Sequence, residues 1–318
     1  MLSNAVILIV MKFKLPLWIL GLERLIGGVL GSWGMMISVA FSYIADISTL
    51  DARTSIFVVL EASFFLGFTI GPLLGGTIYR KLDHGIERVF ELSLAIQIFV
   101  FLYILLVVKE SLTKKSDQND GNHSTFDFLK SIVYFFAEAY STNRYILFFV
   151  MYSIGITIGG ASTFFLWAAY SFGWDSFDQG VYLLIFALGR IFTMILVFPI
   201  VKRIFVQSIL FDIWIMRFSL LVMTIGAFLM SASTYGWMLL VTVSIEGLSA
   251  LGTPTTKGLL SKSVSQESQG LMFSCIQVIQ KLGLLTATIV FPNLWAYTVN
   301  TAYNRSFLYV ELFVRFNA

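Results

Sequence analysis

Eight stretches of this chain are each apolar for about 20 residues or more, and that repetition decides its fold class. They run over residues 17–42, 54–79, 89–108, 145–168, 179–200, 207–231, 235–256 and 270–296. A helix of about 20 apolar residues crosses the ~30 Å hydrocarbon core of a bilayer. Apart from closed barrels, only helices satisfy their own backbone groups there. Composition agrees. The chain is 58% hydrophobic and 12% charged, whereas soluble domains carry about 25% charged residues. The expected fold is all-α: a polytopic membrane protein of two helical bundles, with about eight full spans and two partial ones. The partial ones are Ala5–Met11 and the terminal SFLYVELFVRF, which is too short and carries charge. The opening MLSNAVILIVMKFK has no basic residue ahead of its apolar run, unlike a secretory signal.

Several chemistries are disfavoured. A net charge of +3 is too small to indicate a nucleic-acid partner. The single cysteine, Cys275, leaves no intrachain disulfide, and His84 and His123 sit in polar stretches, so no metal or other cofactor is expected. GxxxxGK[ST], HExxH and GxSxG are all absent, which argues against ATP-driven transport and against an enzyme.

The longest polar interval, Lys109–Lys130, divides the chain. The expected organisation is an N-terminal bundle over 1–112, a cytosolic central loop over 113–142 and a C-terminal bundle over 143–318. The following FDFLKSIVYFFAEAY is amphipathic; it suits either a surface helix or an extension of the next span. Lysine and arginine in short loops set orientation. The side holding the central loop collects Arg53, Lys109, Lys114, Lys115, Lys130, Arg144, Lys202, Arg203, Lys257 and Lys262. The other side collects Lys12, Lys14, Arg80, Lys81, Arg88 and Arg305. The excess places the central loop in the cytosol and the sequon at Asn304 outside.

The segment 54–79 contains GFTIGPLLGG, an expensive pattern for a soluble helix, since each glycine costs about 1 kcal/mol and a central proline about 3. Gly67, Gly71 and Gly75 recur every four residues, the spacing that lets helices approach closely in lipid. Pro72 frees a carbonyl, which a membrane bundle tolerates. A kinked helix pressed on a neighbour is therefore expected. The full string Gly67-x-x-x-Gly71-Pro72-x-x-Gly75-Gly76 resembles the fifth-helix "antiporter" motif of the major facilitator superfamily. ERLIGGVLG, with Arg24 four residues before Gly28, is similar to its fourth-helix motif. YIADISTLDART, Tyr43 to Thr54, resembles the intervening loop of tetracycline-resistance-type and proton-coupled folate–haem-carrier-type members. VKES after the next span resembles the end of helix six. On this register the chain holds helices 4 to 11, with parts of 3 and 12. Helices 1 and 2 and the charged Gly-Asp-Arg loop have no counterpart, so the resemblance implies a truncated member.

Ionisable residues inside a bilayer cost about 2.5–3.5 kcal/mol or more and normally face the bundle interior. Arg24, Glu61, Arg190, Glu246 and Lys281 fall mid-span and are the candidates for substrate binding or proton coupling. Glu23 and Arg217 read as structural or snorkelling, and Asp212 and Glu91 as interfacial. Gln277 and Lys281 are four apart and share a face. A carboxylate that alternates between a cationic partner and a proton is a minimal coupling device; Glu61 and Glu246 fit it, as they also fit permanent ion pairs.

The resemblance implies a secondary active transporter of a small organic solute, coupled to protons and alternating access between two bundles. The alternative is a transport-inactive truncated protein. The expected partners are that solute, protons and the lipid bilayer, with no nucleic acid; the expected location is a plasma, vacuolar or lysosomal membrane. In sealed vesicles, with Cys275 replaced by serine, Lys115→Cys is expected to react with a membrane-impermeant maleimide only from the cytosolic side; labelling only from outside would invert the topology.

Overall fold

A computed structural model describes residues 2–16, 18–29, 32–81, 85–110, 145–205 and 208–300. The central loop, including Lys114, Lys115 and His123, lies outside the described residues, as do His84, Asn304 and the terminal partial span. Among the described residues every regular element is helical. The helices are α1 (Leu2–Phe13), α2 (Trp18–Val29), α3 (Ser32–Ile47), α4 (Leu50–Lys81) and α5 (Gly85–Val107). After the central interval come α6 (Tyr145–Phe172), α7 (Ser176–Phe192), a π turn (Thr193–Val197) and α8 (Phe198–Ile204). The chain continues as α9 (Ile209–Ser231), α10 (Gly236–Glu246), a 3-10 segment (Gly247–Leu251), α11 (Gly252–Lys262) and α12 (Gln269–Asn300).

Six helical runs are long and apolar enough to cross a membrane, and α6 makes a seventh as a pair bent by 43°. They correspond to seven of the eight expected segments. The exception is 17–42, which divides into α2 and α3 of 12 and 16 residues. Its GGVLGS stretch places three glycines in six residues, where helix propensity is weakest. Elsewhere the boundaries have local causes. Gly173 ends α6 at φ +68, a left-handed conformation that glycine adopts without penalty. Asp175 starts α7 by accepting from the Phe177 and Asp178 amides at 2.8 and 3.0 Å, and Asp178 returns the bond to the Asp175 amide at 3.2 Å. Ser208 caps α9 through the Phe211 amide at 3.2 Å.

Two apolar clusters join the helices before the central interval to those after it. Phe41, Phe57 and Phe273 bring α3, α4 and α12 together, with ring centroids 4.9 to 5.7 Å apart. Val58 and Ala62 of α4 pack with Met194, Phe198, Ile215, Ala250 and Leu251. A third cluster, around Trp167, Tyr182 and Leu239, lies wholly in the second half. α5 turns a row of large apolar side chains outward, including Phe99, Leu105 and Leu106, as a lipid-facing helix does.

The close glycine seam falls elsewhere than expected. Among the described residues, a Cβ at Gly67, Gly71 or Gly76 would meet nothing within 4 Å, and one at Gly75 only Val89 at 3.8 Å. The stripe therefore does not press on another helix here, because α4 meets the second half through its first turns; Phe68, Ile70 and Leu74 beyond them are exposed. The tight seam is α6 on α12: a Cβ at Gly155 would strike the Gln280 carbonyl, and one at Gly283 the Tyr152 carbonyl. Gly283→Ala is expected to lower stability by about 1–3 kcal/mol, read as loss of the folded fraction in denaturant titrations in detergent. Gly71→Ala should leave it unchanged or raise it by up to about 1 kcal/mol.

Candidate functional site

The first half meets the second around a buried ion pair. Glu61 lies three turns into α4, facing the same side as Phe57 and Val58, which are both fully buried. Lys257 lies in the middle of α11. Its Nζ donates to Glu61 Oε1 at 2.7 Å, and both side chains are under a tenth exposed. The same ammonium stands 4.0 Å over the Phe41 ring of α3, an additional attraction for a desolvated cation. Sequence reasoning counted Lys257 as a loop cation because the apolar run ends near residue 256. The helix instead continues to Lys262, and that extension carries Lys257 inside.

A second pair of charges stands beside the first. Arg190 is near the end of α7, three residues before the π turn, and Glu246 ends α10 where the 3-10 segment begins. The two helices touch through glycines: a Cβ on Gly247 would lie 3.0 Å from the Gly189 Cα. Glu246 is buried, with its Cγ against Gly226 of α9. Arg190 feels the charge of both Glu246 and Glu61 without a direct ion pair to either. Its guanidinium lies 4.5 Å from the Phe186 ring centroid and 5.3 Å from that of Phe65 on α4. Thus three of the five candidates, Glu61, Arg190 and Glu246, are brought together, with Lys257 as an unforeseen fourth member.

Arg24 and Lys281 lie outside this cluster. Arg24 is exposed on α2, as is Gly28. Lys281 is exposed on α12, where it and Gln277 share a face against Gly34 of α3. Arg217 is also exposed, 5.4 Å from the Trp214 ring centroid. Glu91 pairs with Arg88 at 2.9 Å on the surface.

Asp212 lies in the first turn of α9, near the helix end as expected, but packed against protein. Its side chain is buried, accepts from Lys262 Nζ at 2.6 Å and from Thr54 Oγ1 at 3.2 Å. It belongs to a set of polar contacts that join the halves at the Leu50 end of α4. Arg53, also counted as a loop cation, is buried there. It donates to the Ala45 carbonyl at 2.7 Å and to the Ser261 carbonyl and hydroxyl at 3.1 and 3.0 Å. Lys202 donates to Ser55 Oγ at 2.6 Å, and Gln266 to the Asp46 carbonyl at 3.2 Å. A cavity of about 190 Å³ at this end is lined by Asp51, Ser55, Lys202, Asp212 and Lys262.

The sequence and the helical fold have known relatives. The chain belongs to the Major Facilitator Superfamily, whose sequence signature matches residues 1–288. It is 25% identical over 284 residues to the class E tetracycline resistance protein of Escherichia coli, covering 89% of this chain and 67% of that protein. It is 24% identical over 314 residues to the proton-coupled folate transporter of Rattus norvegicus, covering 94% of this chain and 64% of that one. It thus spans about two thirds of the length of these relatives. The crystal structure of the human organic anion transporter MFSD10 (TETRAN) superposes with a TM-score of 0.72 at 19% identity, over 96% of this chain and 70% of that chain. That likeness shows the fold. The chain is therefore a multi-pass membrane protein.

Removing one partner of a buried ion pair strands the other charge. Lys257→Ala and Glu61→Leu should each destabilise the protein by about 3–5 kcal/mol. The double replacement Glu61→Leu with Lys257→Met should recover most of that loss in denaturant titrations. Additive losses would show that the pair is not energetically coupled.

Proposed function

We propose that this chain is a secondary transporter of a small organic solute, coupled to protons through its buried carboxylates. The observation that carries the reading is the four-charge cluster where the halves meet: Glu61 and Lys257 paired at 2.7 Å, with Arg190 and Glu246 beside them. Such charges cost free energy wherever they are buried, and in a membrane they mark solute and proton pathways. Family membership supports transport in general. The relatives' names supply probe solutes, tetracycline and folate. No chemistry of an enzyme is needed by the cluster.

In this reading the two bundles, 1–112 and 143–318, rock about their shared seam. The polar contacts at the Leu50 end form one gate, closed in this structure, and the loop orientation makes that gate cytosolic. Glu246 is the carboxylate best placed to carry the proton, because it lacks the direct cationic partner that Glu61 has. Arg24 serves to hold an anion or carboxylate. An inactive membrane protein is the alternative reading.

The test is uptake and counterflow in proteoliposomes with radiolabelled tetracycline or folate. Glu246→Gln fixes that group neutral, so it should abolish accumulation driven by a pH gradient while sparing solute exchange. Arg24→Ala should impair both. Proton-driven accumulation that survives Gln at both Glu61 and Glu246 would exclude these carboxylates as coupling groups; no flux of either probe in the wild type would favour the inactive reading.

A further inference from the structure

Arg190 is an unusual half-buried cation. A guanidinium carries five N–H donors in a planar fork, yet among the described residues Arg190 donates none of them to a side chain or carbonyl outside its helix. Its Nε is buried without a partner. The usual reason for burying an arginine is a bidentate carboxylate or phosphate. Two carboxylates are within electrostatic reach, Glu61 and Glu246, together with Tyr182. Glu61 is committed to Lys257. Glu246 stands against Gly226 and does not close the gap. The guanidinium instead lies against two phenyl rings that meet edge to face, Phe186 on its own helix at 4.5 Å and Phe65 from the other half at 5.3 Å. The helical hydrogen-bond pattern changes beside it, to a wider π turn at Thr193–Val197 and a tighter 3-10 segment at Gly247–Leu251. Local departures of this kind inside helices are frequent at functional sites. Thr193, in the π turn, adds a buried hydroxyl with no partner.

We propose that Arg190 is the docking cation for the carboxylate of a planar aromatic solute, whose ring system packs with Phe65 and Phe186. The fork supplies two parallel donors, and the rings supply apolar faces from both halves. The solute would therefore bridge α4 and α7. Glu246 is the built-in competitor: charged, it opposes an incoming anion; neutral, it leaves the guanidinium's field to the solute. The site's purpose rests on the transport reading above, but its occupancy does not.

The test is calorimetric titration of the purified chain in lipid nanodiscs with naphthoate, and with naphthamide as its uncharged counterpart. Naphthoate should bind saturably and naphthamide at least about tenfold more weakly, the scale of a lost charged hydrogen bond. Arg190→Gln should weaken naphthoate by about tenfold or more, and Arg190→Lys by less, since lysine keeps the charge without the fork. Glu246→Gln should tighten naphthoate binding, which keeps the test decisive if Arg190→Gln fails to fold. Equal naphthoate affinity in wild type and Arg190→Gln, no saturable binding to the folded wild type, or weaker binding in Glu246→Gln each overturns the proposal. Binding without uptake leaves this site standing and counts against the transport reading; uptake with no Arg190-dependent binding does the reverse.

Discussion

The Glu61–Lys257 pair is the contact on which the junction of the two halves depends. Two charges taken out of water lose several kcal/mol of hydration each, and their attraction makes up for this only in close, well-shielded geometry. The 2.7 Å contact supplies the closeness, and Phe41 supplies a second stabilising surface for the ammonium. Phe41 is in turn locked by Phe57 and Phe273, so the charged pair and the aromatic cluster hold one another in place. α3, α4, α11 and α12 all contribute to that unit, and both halves of the chain are represented in it.

Around this junction the helices depart from regular α geometry where the second pair of charges lies. A π turn follows Arg190 and a 3-10 segment follows Glu246. The glycines Gly189 and Gly247 let these two interrupted helices touch backbone to backbone, so both charges arrive at the same level. Irregular backbone at membrane depth is tolerated where it is buried in protein or lines a cavity. The breaks therefore belong with the charges as one feature, and both concern the space between the halves.

Much of this was legible in the sequence, and the parts that were not have physical reasons. Length and hydropathy located seven of the spans, because the bilayer imposes a minimum apolar length that few other structures share. Mid-span position singled out Glu61, Arg190 and Glu246, which the fold brings together, but equally Arg24 and Lys281, which are exposed elsewhere, because sequence gives a charge's depth and not the face it takes. Lys257 was missed, since TPTTKGLLSK is polar enough to look like the end of a span, and only tertiary burial reveals that the helix carries on. The burial of Asp212 and Arg53 was not visible for a related reason: both stand near helix ends, where sequence cannot separate a solvated charge from one buried under a neighbouring helix. The glycine stripe on α4 failed as a packing predictor because small residues permit close approach without requiring it, and the real seam uses Gly155 and Gly283 instead.

Two kinds of contact divide the bundle into parts that hold and parts that can release. The α6–α12 seam is backbone against backbone, with glycine at each close point. Parting it would lose dispersion contacts and return nothing, since no solvated group is freed. The Leu50 end is different. Its contacts are made by Arg53, Thr54, Lys202, Asp212 and Lys262, and each of these regains hydration when the halves separate. A hydrogen bond exchanged for water costs only about 0.5–1.5 kcal/mol net. Such an end can part at a modest free energy, whereas the α6–α12 seam has no such exchange to offer. The main resistance to separation then comes from Phe41, Phe57 and Phe273, and from the ion pair they shield.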